Sequence, residues 1–176
     1  VEIWAYCLMP SRVDIVCVPR SASSLALAFN SLHMRYAQFV NGRNGRRGPL
    51  WRPRFMSCAL DGPTARDDVR NVETIPIRAG LVTDACDYAW SSARARVRGD
   101  KDPVVSLKCP FVEGVRDWRA FLLNTPDETI VSRTNELLRT GRPAGDRQFV
   151  LMLERIAGRR LEAMPRGRPR KVSSSI

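Results

Sequence analysis

The sequence predicts an α+β fold, and three observations support this prediction. Two short apolar runs near the start are joined by a turn, which is typical of a β-hairpin buried in a sheet. The segment after them repeats its apolar residues at helical spacing. The C-terminal part has a different composition and contains three more helix candidates, so a helical extension is added to the sheet.

The predicted elements of the first part can be justified in chain order. They are strands over 1–9 and 13–18, a helix over 24–40, a basic loop over 41–48, a third strand over 50–60 and a helix over 64–74. Pro10 and Ser11 provide the hairpin turn, and Pro76 ends the second helix. The first helix is predicted from one apolar stripe: Leu25, Phe29, Leu32, Tyr36 and Phe39.

The composition changes after about residue 99. Residues 99–110 resemble a linker, and three helices are predicted over 115–124, 127–140 and 146–158. The tail is rich in Arg, Pro, Gly and Ser, which predicts disorder. The predicted domains are therefore residues 1–98, a helical extension over 99–158 and a basic tail over 159–176.

The charge of the chain indicates a polyanionic partner. The net charge is +11, and the basic residues are 26 Arg and 3 Lys. Arginine contacts phosphates and guanine edges with two hydrogen bonds, so nucleic-acid binding is predicted over a membrane surface. The five cysteines have no CxxC spacing, which favours reduced core thiols of a cytoplasmic protein and argues against a zinc site.

Several segments, taken in order, resemble the REP-associated tyrosine transposases, single-tyrosine enzymes with a His-U-His site. The segments are AYCLMP (5–10), LW-x-x-RF (50–55), R-x-x-E-x-x-P-x-RAGLV (70–82), DYAWSSARA (87–95), TGRP (140–143) and GRPRK (167–171). The resemblance implies a ferredoxin-like antiparallel sheet with helices on one face. It also implies that a first strand and helix upstream of Val1 are missing, which would leave unpaired strand edges and a poorly stable or oligomeric chain, with a homodimer as one form.

The resemblance also implies that the cutting residues have been replaced. In the family two histidines, one residue apart, bind Mg²⁺ or Mn²⁺, and here Arg12 and Asp14 occupy those positions. Asn71 stands at the position of the nucleophilic tyrosine, and Ile75 stands at the third ligand position. Arginine cannot bind a cation, and asparagine cannot attack a phosphate, so no metal site or cofactor is predicted. Arg12 and Asp14 are expected to pair with each other instead.

Other residues offer weak substitutes for the lost nucleophile. Tyr6, Tyr36 and Tyr88 are all interpreted as core or packing residues. His33 lies off the apolar stripe and has no sequence partner, so a solvated helix histidine is expected.

Two basic segments are predicted to bind DNA. Residues 42–55 contain five arginines, two aromatic residues and no acid, which suits phosphates and unpaired bases, although the aromatic residues could equally be core residues. The tail contains an AT-hook-like RGRP core. Arg70 and Arg78 flank the lost nucleophile. The candidate DNA-binding residues are Arg43, Arg46, Arg47, Trp51, Arg52, Arg54, Arg70, Arg78, Arg166, Arg168, Arg170 and Lys171.

Together these features predict a DNA-binding protein of the transposase family, associated with DNA transposition in the cytoplasm or on the nucleoid. Single-stranded or hairpin DNA is the expected partner, and nicking is predicted to be lost. The alternatives are an active transposase that uses another tyrosine, a non-catalytic DNA- or RNA-binding regulator, and a pseudogene remnant.

Overall fold

The computed structural model describes residues 1–51, 55–124 and 128–163. Within these ranges the chain has a two-stranded antiparallel sheet, seven α-helices and one 3-10 helix, so the predicted α+β class is confirmed. The elements are β1 Glu2–Leu8, β2 Val13–Val18, α1 Ser24–Arg43, α2 Gly62–Glu73, α3 Ile75–Arg78, the 3-10 helix Ala85–Asp87, α4 Ala93–Arg98, α5 Trp118–Leu123, α6 Glu128–Thr140 and α7 Arg147–Ala157.

The β-hairpin forms as predicted. Tyr6 lies opposite Ile15, and Leu8 lies opposite Val13, while a bulge interrupts the pairing between Ile3 and Ala5. Alternation along β1 places Ala5 and Cys7 in the core, where they meet apolar residues of α2.

Two loop segments occupy the edge of β1 that faces away from β2. The backbone N–H of Leu8 donates to the Trp90 carbonyl (2.8 Å), and that of Ser106 donates to the Ile3 carbonyl (2.7 Å). The expectation of an unpaired edge is therefore wrong for this side of β1. The linker-like segment 99–110 contributes to the contact, because the Tyr6 hydroxyl also donates to Asp102 (2.6 Å). The domain division at residue 99 stays a prediction.

The third strand predicted over 50–60 is wrong for the described part of that stretch, residues 50–51 and 55–60. Leu60 makes only an isolated bridge to Ala144. Trp51 and Phe55 pack on α1 instead: the Phe55 ring lies 5.0 Å from Phe29, centroid to centroid. These aromatic side chains therefore pack against a helix and not in a sheet.

Capping residues mark the helices that the sequence predicts well. The Asp61 carboxylate accepts from the Thr64 N–H (2.9 Å) at the start of α2, and Asp146 accepts from the Phe149 N–H (2.7 Å) at the start of α7. Gly158 ends α7 with a left-handed φ of 61°, which favours glycine. No helix among the described residues is long and apolar enough to cross a membrane.

Helix α1 differs from its prediction in length and in burial. It continues to Arg43, three residues into the predicted loop. None of its 20 residues, all of which are described, is buried. Leu32, Tyr36 and Phe39 of the predicted apolar stripe are 53%, 48% and 61% exposed. The stripe is correct as a pattern, but the protein core does not cover it.

A buried carboxylate joins the sheet, α2, α4 and α5. Glu73 is fully buried and accepts hydrogen bonds from the Trp118 indole N–H (2.6 Å), the Ser92 hydroxyl (2.7 Å) and Nε of Arg96 (3.3 Å). Arg96 also donates to the Trp4 carbonyl of β1 (2.5 Å). Burial raises the pKa of Glu73, and the Arg96 charge opposes this shift.

Candidate nucleic-acid interface

Arg12 and Asp14, which the sequence resemblance places at metal-ligand positions, bind each other. Nε of Arg12 donates to Asp14 Oδ2, and Nη2 donates to Oδ1, both over 2.6 Å. Positions 12 and 14 share one face of the hairpin, which is what allows this two-point contact. The hydrogen bonds that Arg12 donates to Asp14 raise the pKa of Arg12. The predicted Arg12–Asp14 pair is confirmed.

Asn71, which the sequence resemblance places at the nucleophile position, also has a hydrogen-bond partner. Nη2 of Arg78 donates to the Asn71 side-chain oxygen (2.7 Å), and its Nη1 donates to the Thr74 hydroxyl (2.7 Å). Positions 71 and 78 are seven residues apart, close to two helical turns, so both side chains lie on one side of the α2–α3 segment. Asn71 is thereby fixed as a hydrogen-bond acceptor for an arginine.

The charges of Arg12 and Asp14 both act on Arg78, so the two pairs are treated as one site. Desolvation lowers the pKa of Arg78, and the positive charge of Arg12 lowers it further, whereas Asp14 opposes this effect. Arg12, Arg78 and Asp14 together carry a net charge of +1. The two guanidinium groups repel a divalent cation and offer hydrogen-bond donors to a phosphate. The described residues include no group of three or more His, Cys, Asp or Glu that could hold a metal ion.

Ile75 packs in the core, and Arg70 packs against α5. Ile75 is 8% exposed and belongs to the core cluster. The Arg70 guanidinium lies 4.4 Å from the centroid of the Phe121 ring, and its Nη1 donates to the Asn124 carbonyl (3.3 Å). The structure therefore brings Arg12, Asp14, Asn71 and Arg78 together, and it places Arg70 against α5 instead.

The arginines at the end of α1 and just after it are the most exposed of the predicted DNA-binding residues that the structure describes. Arg43, Arg46 and Arg47 are exposed. Trp51 is partly buried, because its ring stacks on His33 at 4.5 Å and its indole N–H donates to the His33 carbonyl (3.2 Å). The remaining candidates lie outside the described residues: Arg52, Arg54, Arg166, Arg168, Arg170 and Lys171.

The side chains considered as substitutes for the nucleophile have defined partners. The Tyr6 hydroxyl donates to Asp102, and the Tyr88 hydroxyl donates to the Leu8 carbonyl (2.8 Å) beside the hairpin turn. Tyr36 lies on the exposed side of α1, with its ring 5.7 Å from Trp51. The expectation of an unpartnered His33 is wrong, because Trp51 covers its ring.

Asp68 is a buried acid behind the site that the sequence did not single out. It is 7% exposed, and Asn71 Nδ2 lies 3.5 Å from its Oδ1. Burial raises its pKa from 3.8 to about 6, although hydrogen bonds from Asn71 and Thr134 oppose the shift. The sequence signal was its position three residues before Asn71, on the same face of α2.

Replacement of Asp68 by asparagine is expected to raise the free energy of unfolding by about 1–3 kcal/mol at pH 8. The folded pKa is raised to about 6, so above that pH the fold holds a carboxylate that is more stable in the unfolded chain. Asp68 becomes protonated in the native state as the pH falls through about 6. The gain in the free energy of unfolding from Asp68→Asn should therefore vanish near pH 4. Urea unfolding at pH 8, 6 and 4 measures this change.

Asp67 provides the matched control, because it is the neighbouring residue and is partly exposed. Asp67→Asn should change stability by less than about 1 kcal/mol at every pH, as for other exposed acids. An equal response of both variants at all three pH values would contradict the burial of an ionisable Asp68.

No protein-family model, curated protein or solved structure matches the chain. The candidate interface is therefore defined by its residues alone: the site of Arg12, Asp14, Asn71 and Arg78, and the exposed arginines at the end of α1 and just after it.

Proposed function

We propose that the chain is a DNA-binding relative of the REP-associated tyrosine transposases that no longer nicks DNA by the metal and tyrosine mechanism. The observation that carries the proposal is the two-point bond between Arg12 and Asp14. The proposal includes a ferredoxin-like ancestry for the sheet and α2, since these elements present positions 12, 14 and 71 to one site.

The loss of nicking activity follows from the side chains at positions 12, 14 and 71. A metal-dependent nick requires side chains that bind a divalent cation and a nucleophile that can form a bond to phosphorus. Arg12 repels a cation, and its two hydrogen bonds occupy both oxygens of Asp14. Asn71 has no nucleophilic oxygen and accepts a hydrogen bond from Arg78.

The same substitutions favour retention of a phosphate without a metal. Arg12 and Arg78 contribute positive charge where the family is expected to hold its cation, so a phosphodiester would be attracted directly. Arg43, Arg46 and Arg47 are exposed and add further positive charge. We infer a partner that is single-stranded or hairpin DNA, which fits the association of the family with DNA transposition.

A labelled hairpin DNA, incubated with the full chain in Mg²⁺, Mn²⁺ or EDTA, tests this function. Native gels are expected to show a salt-sensitive shift that persists in EDTA, because no metal takes part in binding. Denaturing gels should show neither cleavage nor a covalent adduct.

Two results would contradict the proposal. A metal-dependent adduct would show an active enzyme, and its loss in Tyr88→Phe or Tyr36→Phe would identify the tyrosine. The absence of any shift at low salt would remove the DNA-binding function and favour a remnant without a role.

A further inference from the structure

The exposed side of α1 forms an apolar groove with no covering element among the described residues. The groove has a volume of about 550 Å³. It is lined by Ala28, Ser31, Leu32, Arg35, Tyr36 and Phe39. Contiguous exposed apolar surface is a candidate binding site.

The charge around the groove selects the type of partner. Helix α1 contains no acidic residue and two arginines, Arg35 and Arg43. Arg35 lines the groove, and Arg43 is two helical turns further along the same helix. A second copy would bring the same acid-free helix against this one, so like charges oppose that pairing, whereas a polyanion is attracted.

We propose that this face of α1 is a stacking platform for unpaired bases of single-stranded DNA, with Tyr36 and Phe39 as the stacking rings and Arg35 and Arg43 on the phosphates. The proposal rests on the DNA-binding function above and adds a site to it. Purine and pyrimidine bases both present a flat face to an aromatic ring, so such a platform binds strands with little sequence preference.

The packing behind the platform holds one of its rings in place. The Tyr36 ring lies 5.7 Å from Trp51, which itself stacks on His33 and donates to the His33 carbonyl. Tyr36 is thus supported on one side while 48% of it remains exposed on the other. Phe39 is three residues further along the helix, is 61% exposed and has no ring partner among the described residues.

Paired DNA does not offer this contact. Bases inside a duplex are stacked on each other, and only their edges are accessible in the grooves. Arginines bind the phosphates of both forms, whereas a ring on α1 can gain stacking only from an unpaired base. The platform therefore predicts a preference for single strands that depends on Phe39.

The test compares Phe39→Ala with Leu27→Ala in the full chain. Leu27 lies on the same helix, is 68% exposed and does not line the groove. Loss of one stacked base corresponds to a roughly 5- to 150-fold weaker affinity. Binding of an unpaired oligonucleotide should weaken by about 10-fold in Phe39→Ala and by less than about 2-fold in Leu27→Ala. Duplex binding should stay within about 2-fold for both variants.

A photocrosslink gives a second measurement that does not depend on affinity. An oligonucleotide with 5-iododeoxyuridine is expected to attach to a peptide that contains Tyr36 or Phe39. Crosslinks confined to other peptides would overturn the site. Thermal unfolding of Phe39→Ala and Leu27→Ala should show equal midpoints, since both side chains are exposed.

The outcomes separate this site from the function on which it depends. If the unmodified chain binds no DNA, both proposals fail. If it binds DNA and the two variants have equal single-strand affinity, the platform is wrong and the DNA-binding function stands. If the unmodified chain is a dimer, and Phe39→Ala dissociates the dimer without a change in DNA affinity, the groove binds a second copy and not DNA. A matched RNA strand bound more tightly than DNA would overturn the choice of partner.

Discussion

Replacement of Glu73 by alanine is expected to lower the free energy of unfolding by about 3–5 kcal/mol. The substitution removes the acceptor for three side chains, and it leaves the Arg96 guanidinium, 6% exposed, without its anion. A buried charge that loses its partner has a desolvation penalty that nothing offsets. Urea unfolding followed by circular dichroism measures the loss as a lower midpoint.

Asp100 is the matched control for Glu73. It also forms an ion pair with an arginine, Arg94 (2.6 Å), but both side chains are about half exposed. Asp100→Ala should cost less than about 1 kcal/mol. A Glu73→Ala variant as stable as Asp100→Ala would show that the buried network is not formed in solution.

An increase in NaCl from 50 to 200 mM is expected to weaken hairpin-DNA binding by about 10³- to 10⁵-fold if the chain contacts 6–10 phosphates. Each arginine on a phosphate releases counterions, so affinity falls linearly on a logarithmic plot against salt. The triple replacement of Arg43, Arg46 and Arg47 by glutamine should lower the magnitude of that slope by roughly 2 to 3. Fluorescence anisotropy at four salt concentrations measures it.

A second triple variant controls for net charge. Arg133, Arg139 and Arg147 are exposed on α6 and α7, and their replacement by glutamine also lowers the charge from +11 by three, to +8. This variant should keep most of the slope, because its arginines lie outside the proposed interface. Equal slopes for the two triple variants would mean that the chain binds DNA through its overall charge and not through Arg43, Arg46 and Arg47.

Elements with local signals could be predicted from the sequence. Asp61 and Asp146 cap their helices through N–H groups three residues away, and Gly158 ends α7, so each boundary is encoded by adjacent residues. The hairpin is also local, since Pro10 and Ser11 turn one apolar run back on the other. The Arg12–Asp14 pair was predictable because residues two apart share a face of a strand.

Features that depend on distant residues could not be predicted in the same way. The pattern of Leu32, Tyr36 and Phe39 identifies a helix face, but it does not say which element covers that face. Trp51 and Phe55 have strand-like composition, yet their ring contacts are with α1. Residues 99–110 look like a linker because they are polar, although Asp102 binds Tyr6 across 96 residues.

Glu73 shows the same limit in the protein core. In the sequence it is one acid on a helix, where solvent exposure is the usual expectation. Its partners Ser92, Arg96 and Trp118 are 19 to 45 residues away. Only the packing of α4 and α5 against α2 brings them together, so the burial of this acid could not be deduced from periodicity.

The reactivity of the buried cysteines reports on local unfolding of the chain. Cys7 in β1, Cys86 in the 3-10 helix and Cys109 in the linker-like segment are all at most 1% exposed. Burial raises the pKa of all three thiols, to about 12 for Cys7 and about 11 for Cys86, so little reactive thiolate is available in the closed state. Alkylation of each thiol therefore requires the surrounding structure to open. Because Cys7 and Cys109 lie on opposite sides of residue 99, their labelling rates distinguish one cooperative unit from two.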